Sequence, residues 1–255
     1  MARDFDAVDD IINCGRNANV DNLTTITVSA WVFPDTLGEA SIGVIWGKNA
    51  GSSGPKRLNV EGTNQLRWQS RRATTHALAT SGNNQVTLGA WQFLAATWVQ
   101  DQAPGPKLYR AAPGAAVAEV ASYTSQTAGA GASTDDSGNS MYIGAYGSGS
   151  GTWDGRIADV RLWNAELTVA ELQAVMRGAI VRPNLQRGWW ELFGTTSPEP
   201  DWSGQNLHGT VTGAVRIDHP PGIGVKWLAP TLWAVEEAVA AVGVPYQPWL
   251  QRGPV

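Results

Sequence analysis

Cysteine is nearly missing from these 255 residues: Cys14 stands alone, so no intrachain disulfide forms and the fold holds without covalent staples. Beside Ile11 and Ile12 its expected fate is that of a small buried hydrophobe. Charge is scarce as well. Asp, Glu, Lys and Arg make up 16% of the chain, the formal net charge is −4, and the 18 basic residues are scattered. No stripe of positive charge tracks a phosphate backbone, which excludes nucleic acid as a partner. No apolar run approaches the ~20 residues that cross a bilayer, so no membrane-spanning helix is expected. Met1 leads directly to Asp4, Phe5 and Asp6 without an apolar segment of signal-peptide length, and the expectation is a protein finished in the cytoplasm of the cell that makes it.

Paired acids are missing too. A glycosidase sets two carboxylates across the scissile bond, but Glu39, Glu61, Glu119, Glu166, Glu171, Glu191 and Glu199 stand apart, and Glu236 with Glu237 fits a solvated helix face. His76, His208 and His219 have no Ser or Cys nucleophile beside them. Arg71, Arg72 and His76 fit a basic surface strand more simply than a lyase site. No catalytic residue is assigned, and the chain is expected not to be an enzyme.

What the chain has is turn chemistry and tryptophan. Its 29 Gly and 14 Pro punctuate short apolar runs, the pattern of an antiparallel all-β protein. In Thr25 to Phe33, Ile26, Val28, Ala30 and Val32 alternate with Thr27, Ser29, Trp31 and Phe33, which predicts a strand ended by Pro34. Further strands are predicted at Ile42 to Trp46, Arg57 to Val60, Gln65 to Gln69, Ala77 to Thr80, Gln85 to Leu88, Gln92 to Val99, Lys107 to Arg110, Met141 to Tyr146 and Arg156 to Trp163, with a weaker one at Val117 to Ser122. The small, polar stretch Thr124 to Asn139 is expected to be a mobile surface loop. One helix follows, where Thr168 and Glu171 form a capping box, Leu172, Val175 and Met176 form an apolar stripe, and Gly178 ends it.

The ends of the chain differ in composition. Residues 1–219 are expected to form one β-sandwich and 220–255 a C-terminal helix and arm. Leu228, Leu232, Val235, Val239 and Val242 make a heptad-like seam with Trp227 and Trp233 beside it, and Tyr246 and Trp249 follow in a Pro-containing stretch. Such a short helix must dock, either on its own sandwich or on a neighbour, and these residues are the candidate assembly surface.

Several segments resemble laminin-G-like and concanavalin A-like jelly rolls. Phe5-Asp6-Ala7-Val8-Asp9-Asp10 is similar to that family's F-D-G-V-D-D opening, Thr27 to Asp35 to its next strand, and Leu88 to Trp98 to its L-G-x-W-H-x-V-A-A-T-Y segment. Met141-Tyr142-Ile143-Gly144 and Trp153 to Asn164 are similar to its closing strands, and Leu167 to Gly178 to its terminal helix. The resemblance covers residues 4–178 and implies an antiparallel two-sheet sandwich. A W-x-L and D-x-S-G-N-x-N-H-G-T pattern that in the family precedes the opening follows the helix here, as Trp190-Glu191-Leu192 and Asp201 to Ala214. The order therefore looks circularly permuted, with 188–217 expected to join the same sandwich beside the first strand; the alternative is the start of a second, truncated repeat.

The resemblance also implies candidate sites. Relatives hold a structural Ca²⁺ with acids near the opening and closing strands, which maps to Asp6 and Asp159; no other cofactor is implied. Trp31, Trp91 and Trp163 match core positions, while Trp46, Trp68, Trp98 and Trp153 are candidates for a glycan-stacking platform, since large rings with a polar edge suit sugars. This fold hosts many functions. Because permuted sandwiches of this kind resemble phage-associated proteins, the leading expectation is a non-catalytic bacteriophage virion component, a capsid decoration or head-surface protein on the virion surface, assembling with capsid protein or copies of itself. The alternative is a lectin-like carbohydrate-binding module.

Overall fold

A computed structural model describes residues 2–48, 51, 54–195, 197–218 and 220. The expected helix at Lys226 to Val242 and the arm carrying Tyr246 and Trp249 lie outside these residues. In chain order the strands are β1 (Ala2–Asp6), β2 (Ile11–Gly15), β3 (Thr25–Pro34), β4 (Ile42–Lys48), β5 (Lys56–Glu61), β6 (Gln65–Ser70), β7 (Ala77–Ser81), β8 (Gln92–Val99), β9 (Lys107–Ala111), β10 (Ala118–Glu119), β11 (Tyr123–Thr127), β12 (Met141–Ile143), β13 (Asp154–Trp163), β14 (Gln186–Trp190), β15 (Thr210–Thr212) and β16 (Val215–Ile217), with one α-helix among the described residues, α1 (Val169–Met176).

The strands form two antiparallel sheets. The first runs β10-β9-β8-β3-β13-β1-β16, with β14 also on β13; the second runs β11-β7-β6-β5-β4-β12-β2-β15. Period-two alternation fills the space between them. Ile26, Val28, Ala30 and Val32 of β3 and Leu94, Ala96 and Trp98 of β8 meet Leu58, Val60, Leu66, Trp68 and Trp46 of the second sheet in one core cluster. Trp46 stacks on Trp68 with centroids 6.1 Å apart and planes 5° apart.

The same alternation turns Trp31, Phe93 and Trp163 to the outside of the first sheet, yet they are buried. The segment after β13 lies over the Thr27, Arg161 and Trp163 end of this face. Thr27 Oγ1 donates to the Ala165 carbonyl at 2.6 Å and accepts from the Leu167 N–H at 3.0 Å. Arg161 donates to the Ala179 carbonyl at 2.7 Å and the Trp163 indole to that of Val181 at 2.9 Å. Between these anchors runs α1, capped reciprocally by Thr168 and Glu171, with Leu172, Val175 and Met176 buried. Each such side chain taken from water contributes roughly 1.5–3 kcal/mol.

Residues after the helix complete both sheets. β16 pairs with β1 in the first sheet and β15 with β2 in the second. β13 pairs with β1 from Asp154 to Ile157 and with β14 from Val160 to Trp163. Asp159 marks the joint, at φ 47.

Two sequence expectations are corrected. Gln85 to Leu88 is a turn: the Val86 N–H donates to the Asn64 carbonyl at 2.9 Å, which ties it to a loop instead of a ladder. The stretch Thr124 to Asn139 is not a free loop. Its start belongs to β11, paired with β7, and Asp136 is buried between Lys48 at 2.8 Å and Lys56. Lys48 also bonds Asp21 and the Val20 carbonyl. Two inward-pointing ammonium groups need a carboxylate, and the loop supplies it. Arg72, expected on a surface strand, is buried and donates to the carbonyls of Gly131 and Ala128.

Candidate functional site

The expected glycan platform is not formed by the four rings named for it. Trp46, Trp68, Trp98 and Trp153 are all buried in the core, because β-alternation points their side chains between the sheets, where no sugar reaches. Among the described tryptophans the exposed one is Trp202, 52% open to solvent and stacked on Phe193 at 6.1 Å. Nor do Asp6 and Asp159 share a site. Asp6 lies opposite Asp154 at the far end of the β1 and β13 pairing, whereas buried Asp159 accepts from Arg161 Nε at 2.7 Å and the Trp189 indole at 2.9 Å.

A polar layer covers the outside of the second sheet. Because Leu58, Val60, Leu66 and Trp68 point inward, Arg57, Asn59 and Glu61 of β5 and Arg67 and Gln69 of β6 must point outward. One row can be followed through the ladder: Asn13 opposite Tyr142, Tyr142 opposite Gly47, Gly47 opposite Arg57, Arg57 opposite Gln69, Gln69 opposite Leu78. Gly47 has no side chain, so the row dips between Tyr142 and Arg57. Arg57, Asn59 and Gln69 are recessed, Asn59 being 0% and Arg57 8% exposed, while Glu61, Arg67 and Tyr142 are half-buried and Asn13 is exposed.

The layer is bonded to itself. Arg57 Nη2 and Arg67 Nη2 both donate to Gln69 Oε1, at 3.1 and 3.2 Å. Arg67 Nη1 donates to Glu61 Oε1 at 2.5 Å, and Asn59 Nδ2 to Glu61 Oε2 at 3.1 Å. The Arg57 guanidinium lies 5.6 Å from the Tyr146 ring centre. Gly147 and Gly151 pack flat on the rings of Tyr142 and Tyr146, where a Cβ on either would meet ring carbon at 2.5 Å. Burial lifts the Tyr146 phenol, while Arg57 pulls it down and Glu61 pushes it up. Among the described residues Asn59 Oδ1, Arg67 Nε and the Tyr146 hydroxyl are buried there without a hydrogen-bond partner, a costly state for polar groups.

Sequence reading passed over this layer because the aromatic signal drew attention inward. The available signal was the alternation of K-R-L-N-V-E and Q-L-R-W-Q-S, which puts Arg, Asn, Gln and Glu where a solvated face would ordinarily carry Thr, Ser and Lys.

Acids gather at two other places. Asp6, Asp9 and Asp10 each offer an oxygen within 4.8 Å of the others, a hard-donor set that suits Ca²⁺. Asp10 is raised to about 6, first by burial and then by Asp6 and Asp9 against the lowering bond from the Asp6 N–H. At the β13 and β14 joint Glu191 is raised to about 7, by burial first and by Asp159 next, against Arg161.

No curated protein sequence matches the chain. Solved structures do: a candidate carbohydrate-binding protein from Bacteroides ovatus is similar at 18% identity and a TM-score of 0.60, covering 88% of this chain and 61% of that one, so the chain spans about three fifths of its length. The carbohydrate-binding module (CBM40) of a Ruminococcus gnavus IT-sialidase bound to α2,3-sialyllactose is similar at 12% identity and 0.44, covering 69% and 98%. A heptameric SAP-like pentraxin from Limulus polyphemus is similar at 15% and 0.42, covering 67% and 83%. The profile of the laminin-G type described as the concanavalin A-like lectin/glucanases superfamily matches residues 7–173, the greater part of the chain, and the chain belongs to that family.

Proposed function

We propose that this protein is a carbohydrate-binding sandwich and that the outer face of its second sheet holds the sugar. The observation that carries the reading is the recessed layer of planar polar side chains, Arg57, Asn59, Glu61, Arg67 and Gln69, bonded to one another beside Tyr142 and Tyr146. Sugar hydroxyls are bound by fixed amide, guanidinium and carboxylate groups, and sugar C–H faces by aromatic rings. Groups already held in place lose little freedom on binding. The Bacteroides ovatus protein of the same fold, a candidate carbohydrate binder, agrees with this reading.

The reading is of a binder and not of a glycosidase. Glu61 is the one acid on the described strands of this face, whereas hydrolysis needs two carboxylates about 5–10 Å apart. A virion role, with capsid protein or copies of the chain as partners, draws on the resemblance of the permuted order to phage-associated proteins, on the expected lack of an export segment and on residues 220–255, which lie outside the described residues apart from Pro220; a virion component that attaches to surface glycans would use this same face. Calcium is proposed on Asp6, Asp9 and Asp10 in place of Asp6 and Asp159. Its test is a rise in melting temperature with added Ca²⁺ that Asp9→Asn abolishes; equal melting with Ca²⁺ and with chelator removes the ion.

A glycan array followed by calorimetry on its hits tests the main reading. Wild type should bind at least one glycan class, and Asn59→Ala and Gln69→Ala should each weaken it by on the order of tenfold, the worth of one or two hydrogen bonds, with circular dichroism unchanged. Silence across the array, or full binding by both variants, overturns it.

A further inference from the structure

We infer that Trp202 and Phe193 form a second saccharide contact, a stacking platform for the C–H face of a pyranose ring, separate from the polar layer of the second sheet. It goes beyond the reading above by adding a site that uses none of that layer's residues.

The platform stands on a turn that is pinned without help from its rings. Asp201 Oδ1 accepts from the Trp189 N–H at 3.0 Å and the Ser203 N–H at 2.9 Å, and Oδ2 accepts from the Leu207 N–H at 3.0 Å. The Asp201 N–H donates to His208 Nδ1 at 3.0 Å, and the Trp190 indole donates to the Leu207 carbonyl at 2.6 Å. From the turn after β2, Asn17 Nδ2 donates to the Gln205 carbonyl at 2.7 Å. Beside Phe193, Arg3 Nη2 donates to the Gly194 carbonyl at 2.9 Å. Trp202 enters this network through its backbone, whose N–H donates to the Trp189 carbonyl at 2.8 Å. Any residue would supply that N–H, so the fold makes no demand for an indole at this position. Yet the ring is there, 52% open to solvent, with its plane 23° from that of Phe193 and the two centroids 6.1 Å apart.

Size and chemistry choose the occupant. A stable protein interface buries about 800 Å² on each partner around an apolar centre. Here the rings are flanked in the chain by Gly194, Ser203, Gly204 and Gln205, which are small or polar, so the apolar area is that of a ring pair. A single sugar ring covers it. A pyranose whose hydroxyls are all equatorial, as in a β-glucan, turns only C–H bonds to each face and lies flat on an indole. An axial hydroxyl on the stacked face would hold the sugar off. Because the turn fixes the rings beforehand, little freedom is lost on binding. The turn leads into β15, which is four strands from β5 in the second sheet, on the order of 20 Å at the usual strand spacing. One sugar ring therefore touches this platform or the polar layer, and not both.

Iodide quenching of tryptophan emission, with cellohexaose as the probe, tests the platform in the full chain. The quenchable emission that wild type shows and Trp202→Phe lacks belongs to Trp202, and cellohexaose should shield that share. In calorimetry Trp202→Ala should weaken cellohexaose binding on the order of tenfold, and Trp202→Phe, which keeps a ring, by less. The shielding of wild type together with Trp202→Phe serves if Trp202→Ala fails to fold. An unshielded Trp202 with full affinity in Trp202→Ala overturns the inference, and the second-sheet reading then stands or falls on Asn59→Ala and Gln69→Ala. Shielding that grows with protein concentration in the absence of sugar means that another copy of the chain covers the rings, and it overturns the inference too. Affinity lost in Trp202→Ala and kept in Asn59→Ala and Gln69→Ala sustains the platform and overturns the second-sheet site.

Discussion

On the outside of the first sheet the strands present Trp31, Phe93 and Trp163, all buried, and the chain's own segment from Ala165 to Val181, including α1, is anchored on Thr27, Arg161 and Trp163. On the outside of the second sheet the strands present Arg57, Asn59, Arg67 and Gln69, and these bond to one another. Trp31, Phe93 and Trp163 are fully buried, and on the second face Arg57, Asn59 and Gln69 are buried with Arg67 half-buried, by opposite chemistry. Apolar groups taken from water are a gain that needs no partner, so a helix suffices to finish the first face. Recessed polar groups cost free energy unless every donor and acceptor is met, and on the second face Asn59 Oδ1, Arg67 Nε and the Tyr146 hydroxyl are not met within the described residues. The first face also leaves Ser29 Oγ, Trp31 Nε1 and Thr97 Oγ1 unmet within the described residues; what sets the second face apart is that its large side chains are guanidinium, amide and carboxylate groups.

The largest effect should come from opening the closed face. Trp163→Ala removes a fully buried ring and its bond to the Val181 carbonyl, and denaturant titration should show a loss of about 3–5 kcal/mol. Binding of glycan by the fraction that remains folded should be unchanged, since Trp163 faces away from the second sheet. Loss of binding in proportion greater than loss of folded protein would mean that the two faces are coupled.

Next in size is Asp136→Asn, which asks whether charge on the second sheet is tolerated only where it is compensated. Lys48 and Lys56 are the inward-pointing ends of β4 and β5, and Asp136 bridges them while buried. Burial opposes the ionised carboxyl, but Lys56 and Lys48 hold it below the usual carboxylate value. Removing its charge takes the carboxylate from Lys56 and leaves Lys48 to Asp21 and the Val20 carbonyl, and a loss of about 3–5 kcal/mol is expected. In wild type this contribution is present above the ordinary value of 3.8 and fades as pH falls through the lower folded one. A variant that melts like wild type at neutral pH would sink this account of the 128–140 segment.

That segment shows where sequence reading stopped. Alternation and turn chemistry were enough for the inward residues of β3, β8 and β13 and for α1, because burial of an apolar side chain depends on local period alone. Asp136 was hidden because its meaning depends on two lysines 88 and 80 residues away in sequence, and a polar, small-residue stretch looks the same whether it is loose or pinned. Gln85 to Leu88 was misjudged for the converse reason: Val86 is buried, but as a lone plug in a turn whose N–H bonds Asn64. The tryptophans misled in a third way, since their number suggested display while their place on each strand dictated burial. The site residues Arg57 and Gln69 were legible only as outward partners of Leu58 and Trp68, and no local pattern says that an outward face is recessed.

A smaller effect belongs to the edge of the closed face. Glu191 is raised to about 7 by burial and by Asp159. In the unfolded chain the same carboxyl titrates near its ordinary 4.5, so between that pH and about 7 the folded state keeps a proton that the unfolded state has lost, and stability falls as pH rises across the window. Glu191→Gln should flatten that fall and gain on the order of 1 kcal/mol at pH 8, an amount already reduced for the group's partial exposure. Parallel melting curves for variant and wild type from pH 4 to 8 would show that Glu191 titrates normally.

The smallest change in stability is expected from Gln69→Ala, and it sharpens the comparison most. Its strand neighbour Trp68 points into the core, where truncation to Ala should cost about 3–5 kcal/mol. Gln69 points the other way and supplies one acceptor to two guanidinium groups, so its loss should cost about 1 kcal/mol. Its effect on glycan affinity should nevertheless be on the order of tenfold, because Arg57 and Arg67 would no longer be held in one plane. A folding measurement and a binding measurement on this single variant therefore separate the two uses of a polar layer. If Gln69→Ala destabilised the fold as much as Trp68→Ala while leaving affinity intact, the outer layer would be structural, like the apolar layer on the opposite side, and the asymmetry between the two faces would carry no function.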